Sequence, residues 1–219
     1  MLLIFDCDGV LVDSEPLSCR IDAEVLTGLG VPYTAEEIAR DFVGVSQKDM
    51  IARISAERGV TLPGDLAERI NRALFTRFET DLRPIDGVRD AILALPHRRC
   101  VASSSLPERI ALSLRVTGLA DLFDDVFSAS EVRHGKPAPD LFLHAASRME
   151  ADPATCIVIE DSIAGVQAAR AAGMRVIGFT GGGHCGPEHG ERLREIGATT
   201  IVTHMAELPE AVRMIRSAA

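Results

Sequence analysis

Four segments of the chain deliver reactive side chains where an apolar run stops or a loop intervenes. Leu2-Leu3-Ile4-Phe5 runs directly into Asp6-Cys7-Asp8-Gly9. The apolar run 156–159 ends in Glu160-Asp161, and the run 99–103 ends in Ser103 and continues as Ser104-Ser105. Lys136 stands in the loop Gly135-Lys136-Pro137. Singly, each has an ordinary explanation, since Asp and Ser at strand ends cap helices and make turns. Together they are harder to explain that way. Four carboxylates converging on one sheet edge repel one another unless a cation neutralises them. Oxygen-only ligands of this kind suit Mg²⁺. A lysine and a hydroxyl beside them suit a phosphate. A metal, an anion-binding lysine and an available aspartate make a phosphoryl-transfer site.

These residues need strands to carry them to a common edge. Residues 2–5 are apolar throughout, as in a strand buried on both faces. From residue 15 to about 80 only helical periodicity is found. Leu17, Ile21, Val25 and Leu29 recur every four residues until Gly30 stops the helix. Thr34-Ala35-Glu36-Glu37 reads as a capping box. Ser46 is placed to cap a third helix carrying Met50, Ile51 and Ile54. Leu66, Ile70, Leu74 and Phe78 stripe a fourth. After Arg83-Pro84 strand and helix patterns alternate, with strands near 99–103, 126–128, 156–159, 175–179 and 200–202. That alternation predicts a parallel sheet with helices on both faces. The fold class is therefore α/β: a Rossmann-like core of residues 1–14 and 81–219, with a four-helix domain of residues 15–80 inserted after the first strand. In such sheets the ligand site lies beyond the carboxyl ends of the strands, where the reactive residues are expected.

Composition narrows the alternatives. The 219 residues carry 23 Lys+Arg against 32 Asp+Glu, a net charge of -9. That balance disfavours nucleic acid and anionic membrane as partners. Trp is absent and Tyr33 is the only tyrosine, so a base-stacking platform is not expected. The longest apolar runs have strand length, short of the ~20 residues of a membrane span. Asp6 interrupts the apolar start too early for a signal peptide. Five scattered cysteines without a C-x-x-C pair read as reduced thiols in a cytoplasmic protein. Only Lys48 and Lys136 are lysine among the basic residues, which marks both as positions that need a compact ammonium.

Asp6-Cys7-Asp8-Gly9-Val10, Ser103, Lys136-Pro137 and Glu160-Asp161 resemble, in order, the four motifs of the haloacid dehalogenase superfamily. Residues 15–80 look like the helical cap of its first subfamily. The stretch from Glu160-Asp161-Ser162-Ile163-Ala164-Gly165-Val166 to Ala171-Ala172-Gly173-Met174 is similar to the beta-phosphoglucomutase-like and 6-phosphogluconate phosphatase-like branch. The resemblance spans nearly the whole chain. It implies that Asp6 attacks phosphorus and becomes an aspartyl-phosphate, and that Asp8 protonates the leaving group and then deprotonates water. Ser103 and the backbone N–H of Ser104 would hold phosphoryl oxygens, and Lys136 would neutralise nucleophile and phosphate. Mg²⁺ would be bound by Asp6, Glu160, Asp161 and Asp8, the last through its backbone carbonyl with its side chain left free. Gly9 would permit the sharp turn after Asp8, and Gly165 would permit close helix–sheet packing.

The cap is expected to close over the site and supply leaving-group contacts. Mutases of this branch have a histidine and an arginine where this chain has Ser18 and Gln47, which favours transfer to water. Lys48 follows Gln47 and is the candidate contact to a second anionic group on the substrate. The expected activity is Mg²⁺-dependent hydrolysis of a small phosphorylated metabolite, a sugar phosphate or phosphorylated sugar acid, by a monomer or weak dimer. A phosphosugar mutase is the alternative, and a non-catalytic binding protein on the same fold a second. The segment from Gly181 to His189 reads as a flexible rim; zinc binding by His184, Cys185 and His189 is disfavoured by the adjacent ligands on a Gly-rich loop.

Overall fold

The computed structural model describes residues 1–42, 45 and 47–217. Ser46, expected to cap a helix, lies outside the described residues. The chain divides into two compact units, Met1–Asp13 with Arg83–Ala219, and Ser14–Leu82.

The first unit is built on β1 (Leu2–Phe5), β2 (Arg98–Ser103), β3 (Asp125–Ser128), β4 (Cys156–Glu160), β5 (Arg175–Phe179) and β6 (Thr200–Val202). They pair in parallel in the order β3-β2-β1-β4-β5-β6. The order reverses between β1 and β4, which is where an open α/β sheet has its crevice. Leu2, Ile4, Cys100, Ala102, Cys156 and Val158 pack into one core cluster with residues of α7 (Asp140–Arg148) and α8 (Ile163–Ala171). The intervening Leu3, Phe5, Val101, Ile157 and Ile159 are equally buried. Both faces are therefore covered, which explains strands that read as continuous apolar runs.

The unit Ser14–Leu82 contains α1 (Glu15–Gly28), α2 (Ala35–Phe42), α3 (Gln47–Arg58) and α4 (Leu66–Asp81). The capping box opens α2: Glu37 N–H donates to Thr34 Oγ1 at 3.1 Å, and Thr34 N–H to Glu37 Oε2 at 2.8 Å. Leu26, Ile38, Ile54, Leu66 and Ile70 meet in an apolar core. On α1, Leu26 is fully buried while Val25 and Leu29 are only partly so. A strict four-residue spacing overshoots the 3.6-residue turn, so the expected stripe drifts off the buried face. Among the described residues no helix is long and apolar enough to cross a membrane.

Candidate active site

Four neighbouring strands, β3, β2, β1 and β4, end at a buried polar group. Asp6 follows β1, Ser103 ends β2, Ser128 ends β3 and Glu160 ends β4, and all are at most 7% exposed. Buried polar groups require partners, and here the partners form two adjoining networks.

The first is ionic. Lys136 Nζ lies 2.5 Å from Asp6 Oδ1 and 2.7 Å from Glu160 Oε1, with its side chain 4% exposed. The same ammonium sits 5.0 Å from the centre of the Phe142 ring on α7. Glu160 Oε2 accepts from Ser162 N–H at 2.6 Å. Ser162 caps α8 by accepting from Gly165 N–H. Gly165 makes this possible in a way other than the expected helix–sheet packing: a Cβ there would fall 1.8 Å from Glu160 Oε1. Its missing side chain is the space of a carboxylate. Asp161 Oδ2 pairs with His184 Nε2 at 2.9 Å, and the Asp161 carbonyl bonds His189 Nε2. Gly9 turns the chain at φ +82° beside that carboxylate, where a Cβ would lie 2.0 Å from Asp161 Oδ2.

The second network holds Asp8. Its Oδ2 accepts from Ser105 Oγ at 2.7 Å and its Oδ1 from Arg109 Nη2 at 2.9 Å. These two partners, which the sequence did not point to, hold the Asp8 side chain in place. The loop after β2 and the start of α6 (Pro107–Val116) bring a hydroxyl and a guanidinium to a carboxylate that needs both when removed from water. Ser103 Oγ accepts from Ser105 N–H at 3.1 Å, and Ser128 Oγ donates to the Ser105 carbonyl at 2.7 Å. Ser104, between them, is exposed.

Burial pushes the Asp6 carboxyl well above the usual range; Lys136 opposes this, while Glu160 and Asp161 add to it. Burial likewise raises Asp161 to about 6 against the hydrogen bond from His184. For His184, burial works against the charged ring, but Asp161 and Cys185 outweigh it and hold the ring at about 11. Lys136 is raised as well: burial opposes its charge, and Asp6 and Glu160 prevail.

Ligand atoms of Asp6, Glu160 and Asp161 lie within 4.8 Å of one another. Three carboxylates against two cations, Lys136 and the protonated His184, leave an excess of negative charge in a buried site. The oxygen-only donor set and that excess both fit a hard divalent cation.

Asp6, Asp8, Ser103, Ser104, Lys136, Glu160 and Asp161 thus all lie at the carboxyl edge of the sheet. Ser18 on α1 and Gln47 and Lys48 at the start of α3 belong to the helical unit, where Lys48 is exposed. Sequence reasoning assigned no role to Ser105 or Arg109, and it left His184 in a flexible rim. The rim is instead tied down: Gly183 N–H donates to Asp13 Oδ1 at 2.9 Å, and α9 (His189–Glu195) begins within it. The signal was the glycine run. A Cβ at Gly182 would lie 2.9 Å from His184 Cε1 and 3.0 Å from the Gly9 carbonyl oxygen.

The doubly wound sheet with an acidic, lysine-bearing carboxyl edge defines a class of hydrolase. The family model for haloacid dehalogenase-like hydrolases matches residues 1–173, and the chain belongs to that family. It is 34% identical over 210 residues to the 6-phosphogluconate phosphatase of Escherichia coli K12, covering 95% of this chain and 92% of that protein. Among solved structures, a conserved haloacid dehalogenase-like protein of unknown function from Agrobacterium tumefaciens superposes with a TM-score of 0.89 at 38% identity, covering 98% of each chain. A family hydrolase from Deinococcus radiodurans, solved with bound phosphate and sodium, gives a TM-score of 0.81 at 31% identity over 97% of this chain and 95% of that one.

Proposed function

We propose that this hydrolase is a Mg²⁺-dependent phosphatase acting on a small phosphorylated carbohydrate, with Asp6 as nucleophile. The observation that carries the reading is the buried contact of Lys136 with both Asp6 and Glu160 beside Asp161. A carboxylate in that setting is held in one orientation, at the sheet's switch point, facing the place where an anion would dock.

Asp6 Oδ attacks phosphorus, the ester P–O bond breaks, and an acyl phosphate forms on Asp6. The leaving oxygen takes a proton from Asp8. A water then gives its proton to Asp8 and attacks the acyl phosphate, which releases inorganic phosphate and restores Asp6. Arg109 and Ser105 fix the orientation of the Asp8 carboxyl group. Ser103 and the Ser104 N–H receive phosphoryl oxygens, and Lys136 neutralises charge on nucleophile and phosphate. Asp6, Glu160, Asp161 and the Asp8 carbonyl would hold Mg²⁺. That ion would supply Lewis-acid stabilisation of the phosphoryl charge.

Water as acceptor agrees with Ser18 and Gln47 standing where mutases have histidine and arginine. The substrate class is supported by the relative acting on 6-phosphogluconate. Discrimination among phosphorylated carbohydrates is assigned to the helical unit, with Lys48 the candidate for a substrate carboxylate. Turnover of an aryl phosphate tests the reading: activity should require Mg²⁺ and vanish with chelator. Full activity in excess chelator would overturn it. A screen of metabolite phosphates by kcat/KM would then name the substrate.

A further inference from the structure

We propose that His184, Cys185 and His189 form a second metal site, specific for a soft divalent ion such as Zn²⁺, with Asp161 as its fourth ligand. Adjacent His and Cys on a Gly-rich loop lack the spacing of a structural zinc motif, but the fold supplies what the spacing lacks. Cys185 N–H bonds the Gly182 carbonyl and His189 N–H bonds the Gly186 carbonyl. The two turns fold the loop back so that ligand atoms of all three side chains lie within 4.8 Å of one another.

The geometry has a tetrahedral signature. Zn²⁺ takes nitrogen and oxygen ligands at about 2.0 Å and thiolate at about 2.3 Å, which sets ligand–ligand edges of about 3.3 Å and about 3.5 Å. His184 Nε2 stands 2.9 Å from Asp161 Oδ2 and 3.5 Å from Cys185 Sγ. These two of the six edges fit an N₂SO tetrahedron after a shift of a few tenths of an ångström. The His184 side chain is 8% exposed and the Asp161 side chain 6%, so the donors are already positioned and largely dehydrated. The two rings approach edge to face, with centroids 6.0 Å apart at 74°, and His189 Nε2 is held by the Asp161 carbonyl beside them.

Donor chemistry separates this site from the carboxylate cluster. Imidazole and thiolate favour Zn²⁺ over Mg²⁺, whereas Asp6 and Glu160 offer only hard oxygens. Cys185 is also the one cysteine of five that is not buried. Ligation releases the Cys185 thiol proton and the proton shared by His184 and Asp161. Because Asp161 serves both sites, filling one draws its carboxylate from the other.

The test is a Co²⁺ titration of metal-free protein, followed by competition with Zn²⁺ and a chromophoric chelator. Binding is read directly and needs no catalytic turnover, so its outcome is independent of the phosphatase reading. The expected result is one equivalent of Co²⁺ with a thiolate-to-cobalt charge-transfer absorption that Zn²⁺ abolishes. Cys185→Ser should remove that absorption. His189→Gln should keep it while weakening affinity at least about 10–100-fold, since even an outer-shell change costs that much. Cys185 lies on the loop and His189 at the start of α9, and circular dichroism verifies that the variants fold. Wild-type protein without the absorption would overturn the site, as would variants that bind Co²⁺ as tightly as wild type.

Discussion

The helical unit keeps its ion pairs at the surface, whereas the sheet unit also buries some. In the helical unit, Arg53–Glu57, Arg69–Asp65 and Arg40–Asp41 pair across solvent with side chains about a third to two-thirds exposed. Its core is apolar. In the sheet unit, Lys136, Asp6 and Glu160 pair with side chains at most 10% exposed. Exposed pairs contribute little because water screens them. Buried pairs carry a desolvation penalty that their mutual attraction only partly returns, so they are poor devices for stability. Their presence at the switch point of the sheet marks a site kept for chemistry. The helical unit has a core that its apolar pattern largely explains.

Lys136→Met should have the largest effect. It leaves Asp6 and Glu160 buried without a counter-ion, which costs about 3–5 kcal/mol when one partner of a buried pair is removed. Chemical denaturation in chelator measures it, and aryl-phosphate turnover should be lost as well. A variant as stable as wild type would show that the pair is not electrostatically coupled.

Gly165→Ala comes next. Its Cβ would collide with Glu160 Oε1, in a carboxylate held by Lys136 at Oε1 and by the Ser162 N–H at Oε2. Overpacking of this kind costs about 1–3 kcal/mol, and Mg²⁺ affinity should fall with it. Packing of the helix on the sheet alone predicts lower stability with unchanged metal affinity, so the two readings separate.

A smaller effect concerns pH. His184 titrates at about 11 in the folded protein against an ordinary 6.5. The folded state therefore binds more protons than the unfolded one across that window, and stability falls as pH rises through it. Metal-free wild-type protein should lose Tm steadily between pH 6.5 and about 11. In His184→Gln the slope below pH 9.0 should be absent, leaving above it only the fall due to the buried thiols; an identical slope in both would assign the titration elsewhere.

The smallest effect is expected at Arg53→Ala, on the exposed face of α3. Thermal unfolding and turnover should match wild type. A clear loss of Tm would mean that the helical unit depends on its surface charges after all.

What could be read from the sequence follows from how each residue is held. The strands were legible because Leu2 to Phe5 and Cys156 to Ile159 are buried on both faces and so are apolar without interruption. Asp6 and Glu160 were legible because a charge at the end of such a run stands out, and Lys136 because it is one of only two lysines in the chain. Arg109 was not: it is one of many arginines on amphipathic helices, and only the packing of α6 beside the β1 loop aims it at Asp8. His184 hid in a glycine-rich stretch that reads as loop, where the glycines admit the ring toward Asp161. Helix α9 was missed for the same reason, since Gly186-Pro187 before it and Gly190 within it argue against a helix.

The central claim is that Asp6 carries the phosphoryl group. The most direct measurement is an acid-quenched reaction with a phosphate monoester and Mg²⁺, followed by mass analysis of the peptide containing Asp6. The account predicts a phosphoryl adduct on Asp6 in wild-type protein and none in Asp6→Asn, which should not turn over. Near wild-type turnover by Asp6→Asn, or an adduct on any other residue, would contradict it.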